Sequence, residues 1–174
     1  MVNGINKVLP DLYLGTFNDT KDTDQLAKSN IKYILSIHEE APPRITGMTH
    51  LHLSVPDTST YKITQHFKQS IMFMHESRLE GAGCLVHCLG GKSRSVTLVV
   101  AYIMTVMGLG WKDALDAVKV VRPGANPNLG FQTQLQTFED TQVEGFREWF
   151  RNEYEDNPFN DEADTPKLLA RESQ

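Results

Sequence analysis

Residues 84–95 read Cys84-Leu85-Val86-His87-Cys88-Leu89-Gly90-Gly91-Lys92-Ser93-Arg94-Ser95, and the reading of this stretch decides the fold. Apolar Leu85-Val86 marks a short buried strand. Ser95-Val96-Thr97-Leu98-Val99-Val100-Ala101 marks the start of an apolar helix. A loop that runs from a strand into a helix can turn its backbone N–H groups onto an oxyanion, and the helix N-terminus adds its positive end. Gly90 and Gly91 permit positive φ and a close approach of backbone to ligand. Arg94 supplies a planar fork that matches two phosphate oxygens. Such a field favours a cysteine thiolate. The residues therefore describe a phosphate-binding cup, Leu89 to Arg94, with Cys88 as nucleophile at its base. A buried structural cysteine beside a helix start would explain Cys88 alone. It does not explain His, Cys, paired glycines, Arg and Ser in this order.

Working outward, Ile5 to Gly15 reads as two short strands about a Pro10-Asp11 turn, and Asp19 to Lys28 as a short helix or helical turn. Ile31-Lys32-Tyr33-Ile34-Leu35-Ser36-Ile37 is a nearly continuous apolar strand, buried on both faces. Thr49 to Val55 alternates, with Leu51, Leu53 and Val55 on one side and His50 and His52 on the other. His-x-His can bind metal, but no further ligands stand at zinc-like spacing, so a half-exposed strand face is expected. Pro56 to Thr60 is a loop after a strand end, where open α/β sheets bind ligands. Gln65 to Glu80 carries Phe67, Ile71 and Met74 at helical spacing. Ser95 to Met107 is a helix ended by Gly108 and Gly110, and Trp111 to Val121 a second one closed by Pro123-Gly124. Phe131, Leu135, Phe138, Phe146 and Trp149-Phe150 suggest one long final helix, bent near Gly145. The pattern implies an α/β fold: a single domain with a mixed, largely parallel sheet of four to five strands and helices on both faces.

Composition sets the outer limits. At 174 residues and 40% hydrophobic, the chain suits one globular domain, expected over 1–155, with an acidic, disordered tail over 156–174 and a helical end at Lys167-Leu168-Leu169-Ala170. The formal net charge of −5 argues against a nucleic-acid partner. No secretory signal and no apolar run of membrane-spanning length is visible. The two cysteines, Cys84 and Cys88, would sit about 13 Å apart on one strand. A disulfide needs less than about 7 Å, so a reducing compartment is expected.

His87-Cys88-x5-Arg94-Ser95 resembles the signature of the cysteine-dependent protein tyrosine phosphatase superfamily. Ala101-Tyr102-Ile103-Met104 and Asn126-Pro127-Asn128-Leu129-Gly130-Phe131 are similar to its dual-specificity branch. Asn6-Lys7-Val8-Leu9-Pro10-Asp11-Leu12-Tyr13-Leu14-Gly15 and Ser93 to Leu98 fit the small atypical members. The resemblance spans Asn3 to about Asn157. It implies a phosphoric monoester hydrolase that acts on phosphotyrosine and phosphoserine or phosphothreonine through a phosphocysteine intermediate. It also implies that Cys88 is the nucleophile, that Arg94 and the N–H groups of Leu89, Gly90, Gly91, Lys92 and Ser93 hold phosphate, and that Ser95 stabilises the departing thiolate. His87 and Asn128 are implied as supporting residues, and Asp57 as general acid. Read from the residues alone, Asp57 is equally an ordinary turn aspartate after proline, and Glu39 and Glu40 are rival acids.

No cofactor and no metal is expected. The expected partners are phosphorylated proteins, those of a mitogen-activated kinase pathway among them, and a monomer is expected. The implied location is cytoplasmic and also nuclear. Membrane association is expected only if the native second residue is glycine, because Val2 stands where relatives carry a myristoylated glycine. Lys92 also departs from relatives, which commonly have an apolar residue there. It motivates a phosphoinositide phosphatase as one alternative. A phospho-binding adaptor is another, but such a protein could lose Cys88, Arg94 or Asp57, and all three are present.

Overall fold

The computed structural model describes residues 4–155 and 157–161. A five-stranded sheet runs in the order β1-β2-β5-β3-β4. Its strands are β1 (Asn6–Leu9), β2 (Leu12–Thr16), β3 (Ile31–Ile37), β4 (Thr49–Leu53) and β5 (Gly83–Cys88). Only the β1–β2 hairpin is antiparallel; its turn places Asp11 at φ 64°. The other three pairings are parallel. This is the mixed, largely parallel sheet that the pattern of the sequence implied.

Among the described residues the α-helices of the domain are α1 (Thr23–Lys28), α2 (Phe67–Leu79), α3 (Arg94–Met107), α4 (Trp111–Val121), α5 (Leu129–Thr141) and α6 (Val143–Glu153). Helices lie on both faces, but unevenly. On one face Leu26 of α1 covers Ile31, Ile34 and Leu85 in a small cluster. On the other, Leu35, Cys84 and Val86 join side chains from α2 to α6 in the main core. β5 is buried along its whole length, and α3 behind it is buried from Arg94 to Thr105, which is why both read as apolar runs. Gly108, at φ 72°, ends α3 in the left-handed conformation that favours glycine.

The final helix differs from the expectation. It is two helices broken at Gln142 (φ −130°, ψ −27°), not one bent near Gly145, which lies inside α6. Gln142 closes α5 through its N–H to Phe138 O, and its carbonyl starts α6 by accepting from Phe146 N. The break lets Phe146 turn back edge-on against Phe138, with ring centroids 4.9 Å apart. The expected helical end at Lys167–Ala170 lies outside the described residues, as does most of the expected tail. Within the described part, Phe159 and Asp161 lie against Arg78 of α2.

Among the described residues no single helix is long and apolar enough to cross a membrane. Cys84 and Cys88 are both free and buried. His50 and His52 are taken up by backbone: His50 Nε2 accepts from Ile45 N at 3.0 Å, and His52 Nε2 lies 2.7 Å from His38 O.

Candidate active site

Parallel strands all end at the same edge of a sheet, so the segments that follow them converge. Phe17 follows β2, Glu39 follows β3, Asp57 follows β4, and Cys88 is the last residue of β5. In the β3–β5 register Ser36 stands beside His87, which explains their contact: Ser36 Oγ lies 2.6 Å from His87 Nε2. His87 Nδ1 lies 3.4 Å from Cys88 O. A carbonyl only accepts, so Nδ1 carries the proton and Nε2 accepts from the Ser36 hydroxyl. Burial holds His87 well below the usual histidine range, at about 4, so the ring is neutral and fixes the loop without carrying charge into it.

Cys88 Sγ sits 3.1 Å from Ser95 Oγ at the base of the loop. Gly91 adopts φ 64°. A Cβ there would run into the Arg122 guanidinium and the Gly15 carbonyl, so position 91 needs glycine on both grounds. Arg94 is buried at 5% exposure. Its Nη1 donates to Val55 O at 2.9 Å and to Glu39 Oε1 at 3.3 Å, while Nε is buried without a partner among the described residues.

Asp57 is exposed at the mouth of the loop. Its Oδ1 accepts from Ser93 Oγ at 2.8 Å and from Asn128 Nδ2 at 2.8 Å. Asn128 also caps α5, accepting from Phe131 N at 2.8 Å, and its own N–H donates to Ser93 Oγ at 3.0 Å. The structure thus brings Cys88, Ser95, Ser93, Arg94, Asp57 and Asn128 together. Of the rival acids, Glu39 is bound to Arg94, and Glu40 is an exposed residue whose backbone contacts His38. Lys92 is exposed; its carbonyl accepts from Asn126 N at 2.7 Å.

Residues 12–141 match the family described as dual specificity phosphatase, catalytic domain. The chain belongs to the dual-specificity phosphatase family. It is 60% identical over 173 residues to dual specificity protein phosphatase 22-B of Danio rerio, covering 99% of this chain and 94% of that protein. Against dual specificity protein phosphatase 22 of Homo sapiens the identity is 50% over 170 residues, with 98% and 92% covered. The crystal structure of DUSP15 superposes with a TM-score of 0.84 at 49% identity, over 87% of this chain and 97% of that one. The protein is a cysteine-dependent dual-specificity protein phosphatase.

Three residues of the phosphatase make contacts at the site that had no sequence signal. Val55 offers Arg94 only its backbone carbonyl. Phe17 donates its N–H to Leu89 O at 3.2 Å, and its ring lies 6.2 Å from that of His87. Arg122 reads as the last polar residue before Pro123-Gly124, yet its Nε donates to Gly91 O at 2.7 Å. Among the described residues no group of three or more His, Cys, Asp or Glu side chains could hold a metal ion.

Proposed function

We propose that the phosphatase works through Cys88, Arg94, Asp57 and Ser95 in the following order. The Cys88 thiolate attacks phosphorus in line. The new S–P bond forms as the P–O ester bond breaks. Arg94 and the loop N–H groups take the charge that builds on the equatorial oxygens. Asp57, as the carboxylic acid, gives its proton to the leaving oxygen. Water then attacks the phosphocysteine and loses a proton to the Asp57 carboxylate. The S–P bond breaks, and the Ser95 hydroxyl donates to the departing thiolate.

The observation that carries this reading is the pair of donors on Asp57 Oδ1. Ser93 and Asn128 occupy that oxygen, which directs the proton of the acid form to Oδ2 and fixes the carboxyl over the loop. The substrates are phosphoproteins of kinase signalling, and the place of action is the cytoplasm and nucleus. The two free cysteines, which suit a reducing compartment, support that location.

The test uses two variants. Cys88→Ser abolishes turnover while the loop still binds tungstate; turnover near wild type would end the mechanism. Asp57→Asn slows alkyl and plain phenyl phosphates by about 10²–10⁴-fold and activated aryl phosphates much less. An equal loss for both substrate classes would remove Asp57 from the acid's role.

A further inference from the structure

The outer rim of the phosphate loop is held at four successive carbonyls. Leu89 O accepts from Phe17 N at 3.2 Å, and Lys92 O accepts from Asn126 N at 2.7 Å. Both of those donors are backbone groups. The two carbonyls between them are held by one side chain: Arg122 Nε donates to Gly91 O at 2.7 Å and Arg122 Nη2 to Gly90 O at 3.4 Å. Arg122 is itself fixed, because its Nη1 donates to Asn6 Oδ1 at 2.7 Å, and Asn6 is buried on β1. Arg122 also sits at the end of α4, where its N–H donates to Val118 O.

Peptide geometry gives these outside contacts their consequence. In a trans peptide the carbonyl of one residue and the N–H of the next point in opposite directions. Holding the carbonyls of Leu89 to Lys92 outward therefore turns the N–H groups of Gly90, Gly91, Lys92 and Ser93 into the cup. The Gly90–Gly91 pair is the part of the loop most able to rotate, because neither residue has a Cβ to limit φ and ψ. A rotated peptide there would face a carbonyl dipole towards a phosphate dianion. The two carbonyls that Arg122 holds are those of the two glycines.

We propose that Arg122 is a positioning residue of the phosphatase, whose guanidinium holds the Gly90 and Gly91 carbonyls outward so that the N–H groups of Gly91 and Lys92 stay aimed at the phosphoryl oxygens. Asn6 is the anchor that orients Arg122. Burial pushes the Arg122 guanidinium down from its ordinary value, and the negative charges of Asp19 and Cys88 oppose that shift. This inference rests on reading residues 89–94 as the phosphate site.

The experiment compares Arg122→Met, Arg122→Lys and Asn6→Ala with the wild type. It measures kcat and KM for an aryl phosphate, thermal unfolding, and amide shifts of Gly91 and Lys92 in ¹⁵N-labelled protein titrated with inorganic phosphate. Loss of one preorganised oxyanion donor costs about 10²–10³-fold in kcat, and Arg122→Met is expected to lose about 10²-fold in kcat/KM. The phosphate-induced shifts of the Gly91 and Lys92 amides shrink with it. Arg122→Lys recovers part of the loss, because an ammonium can hold one carbonyl but not both. Asn6→Ala loses a few-fold. The proposal is overturned if Arg122→Met keeps kcat/KM within twofold of wild type for the folded fraction. It is equally overturned if activity falls while the two amides respond to phosphate as in wild type. Cys88→Ser is measured alongside: turnover in that variant would refute the site itself, whatever Arg122 does.

Discussion

Arg78 and Arg94 are both buried, at 2% and 5% exposure, and the protein treats them in opposite ways. Arg78 of α2 is saturated. It donates to Pro10 O at 2.8 Å and Tyr102 Oη at 2.9 Å, and its fork meets both oxygens of Asp161 at 3.0 and 2.7 Å. The Phe159 ring lies 4.0 Å from its guanidinium carbon. Arg94 has one carbonyl, one long contact to a carboxylate whose side chain is 63% exposed, and a buried Nε with no partner among the described residues. An under-satisfied buried cation is costly unless an anion joins it. The saturated arginine therefore fastens the β1–β2 turn, α2, α3 and residues 159–161 together, while the other is held only at Val55 O and Glu39, with its Nε unpartnered among the described residues, and the proposed mechanism gives its fork to the phosphoryl group.

The largest expected effect breaks the saturated side. Arg78→Ala removes the guanidinium fork from Asp161, and breaking a buried pair costs about 3–5 kcal/mol. For a chain of this size that lowers Tm by roughly 6–20 °C. Phosphatase kcat/KM per folded molecule stays at the wild-type value. A Tm within 2 °C of wild type would show that Arg78 fastens nothing.

Arg94→Lys shows the reverse pattern. Losing the planar fork costs about 10²–10³-fold in kcat, with Tm close to wild type. If Tm falls and activity persists, the contrast between the two arginines fails. Both properties are read from one preparation, by calorimetry and aryl phosphate turnover.

Each region also holds one buried histidine. Burial, and Arg78 beside it, hold His75 at about 4; burial holds His87 at about 4. Both lie below the unfolded value of about 6.5, so the unfolded chain binds more protons between those limits, and stability falls as pH drops from about 6.5 towards 4. The loss is about 1–2 kcal/mol per histidine at pH 5. His75→Gln halves the drop in Tm between pH 7 and pH 5 and leaves activity at pH 7 unchanged. An unaltered drop would assign the acid sensitivity to other groups.

The smallest effect concerns Glu39. As a mostly exposed partner it contributes less than about 1 kcal/mol to the fold. It lies against Arg94, where under the proposed mechanism it competes with a phosphate dianion and repels it. Glu39→Gln is expected to lower KM for an aryl phosphate a few-fold at low salt, with kcat within twofold and the difference fading as salt rises. A raised KM would instead make Glu39 an aid in placing Arg94.

The strands, most helix limits and the loop from Leu89 to Ser93 between β5 and α3 were legible in the chain because they depend on neighbours a few residues away. Alternation, helical spacing, glycine punctuation and the Cys-to-Arg interval are local features that report local hydrogen bonding. The break at Gln142 was not legible, since neither glycine nor proline marks it; the edge-on contact of Phe146 with Phe138 accompanies it. Asp57 could not be separated from Glu39 and Glu40 by sequence pattern alone, because all three follow strands. The fold separates them by what meets each carboxylate: Ser93 and Asn128 for Asp57, Arg94 for Glu39. Arg122 on Gly91 and Asp161 on Arg78 were invisible for the same reason, the partners being 31 and 83 positions apart in the chain. The sequence by itself determined most of the strands, loops and helices and pointed to a cysteine-dependent phosphatase. Only the tertiary structure decided which long side chains reach that loop and which buried charge is left under-satisfied, because such contacts depend on where parallel strands end in space.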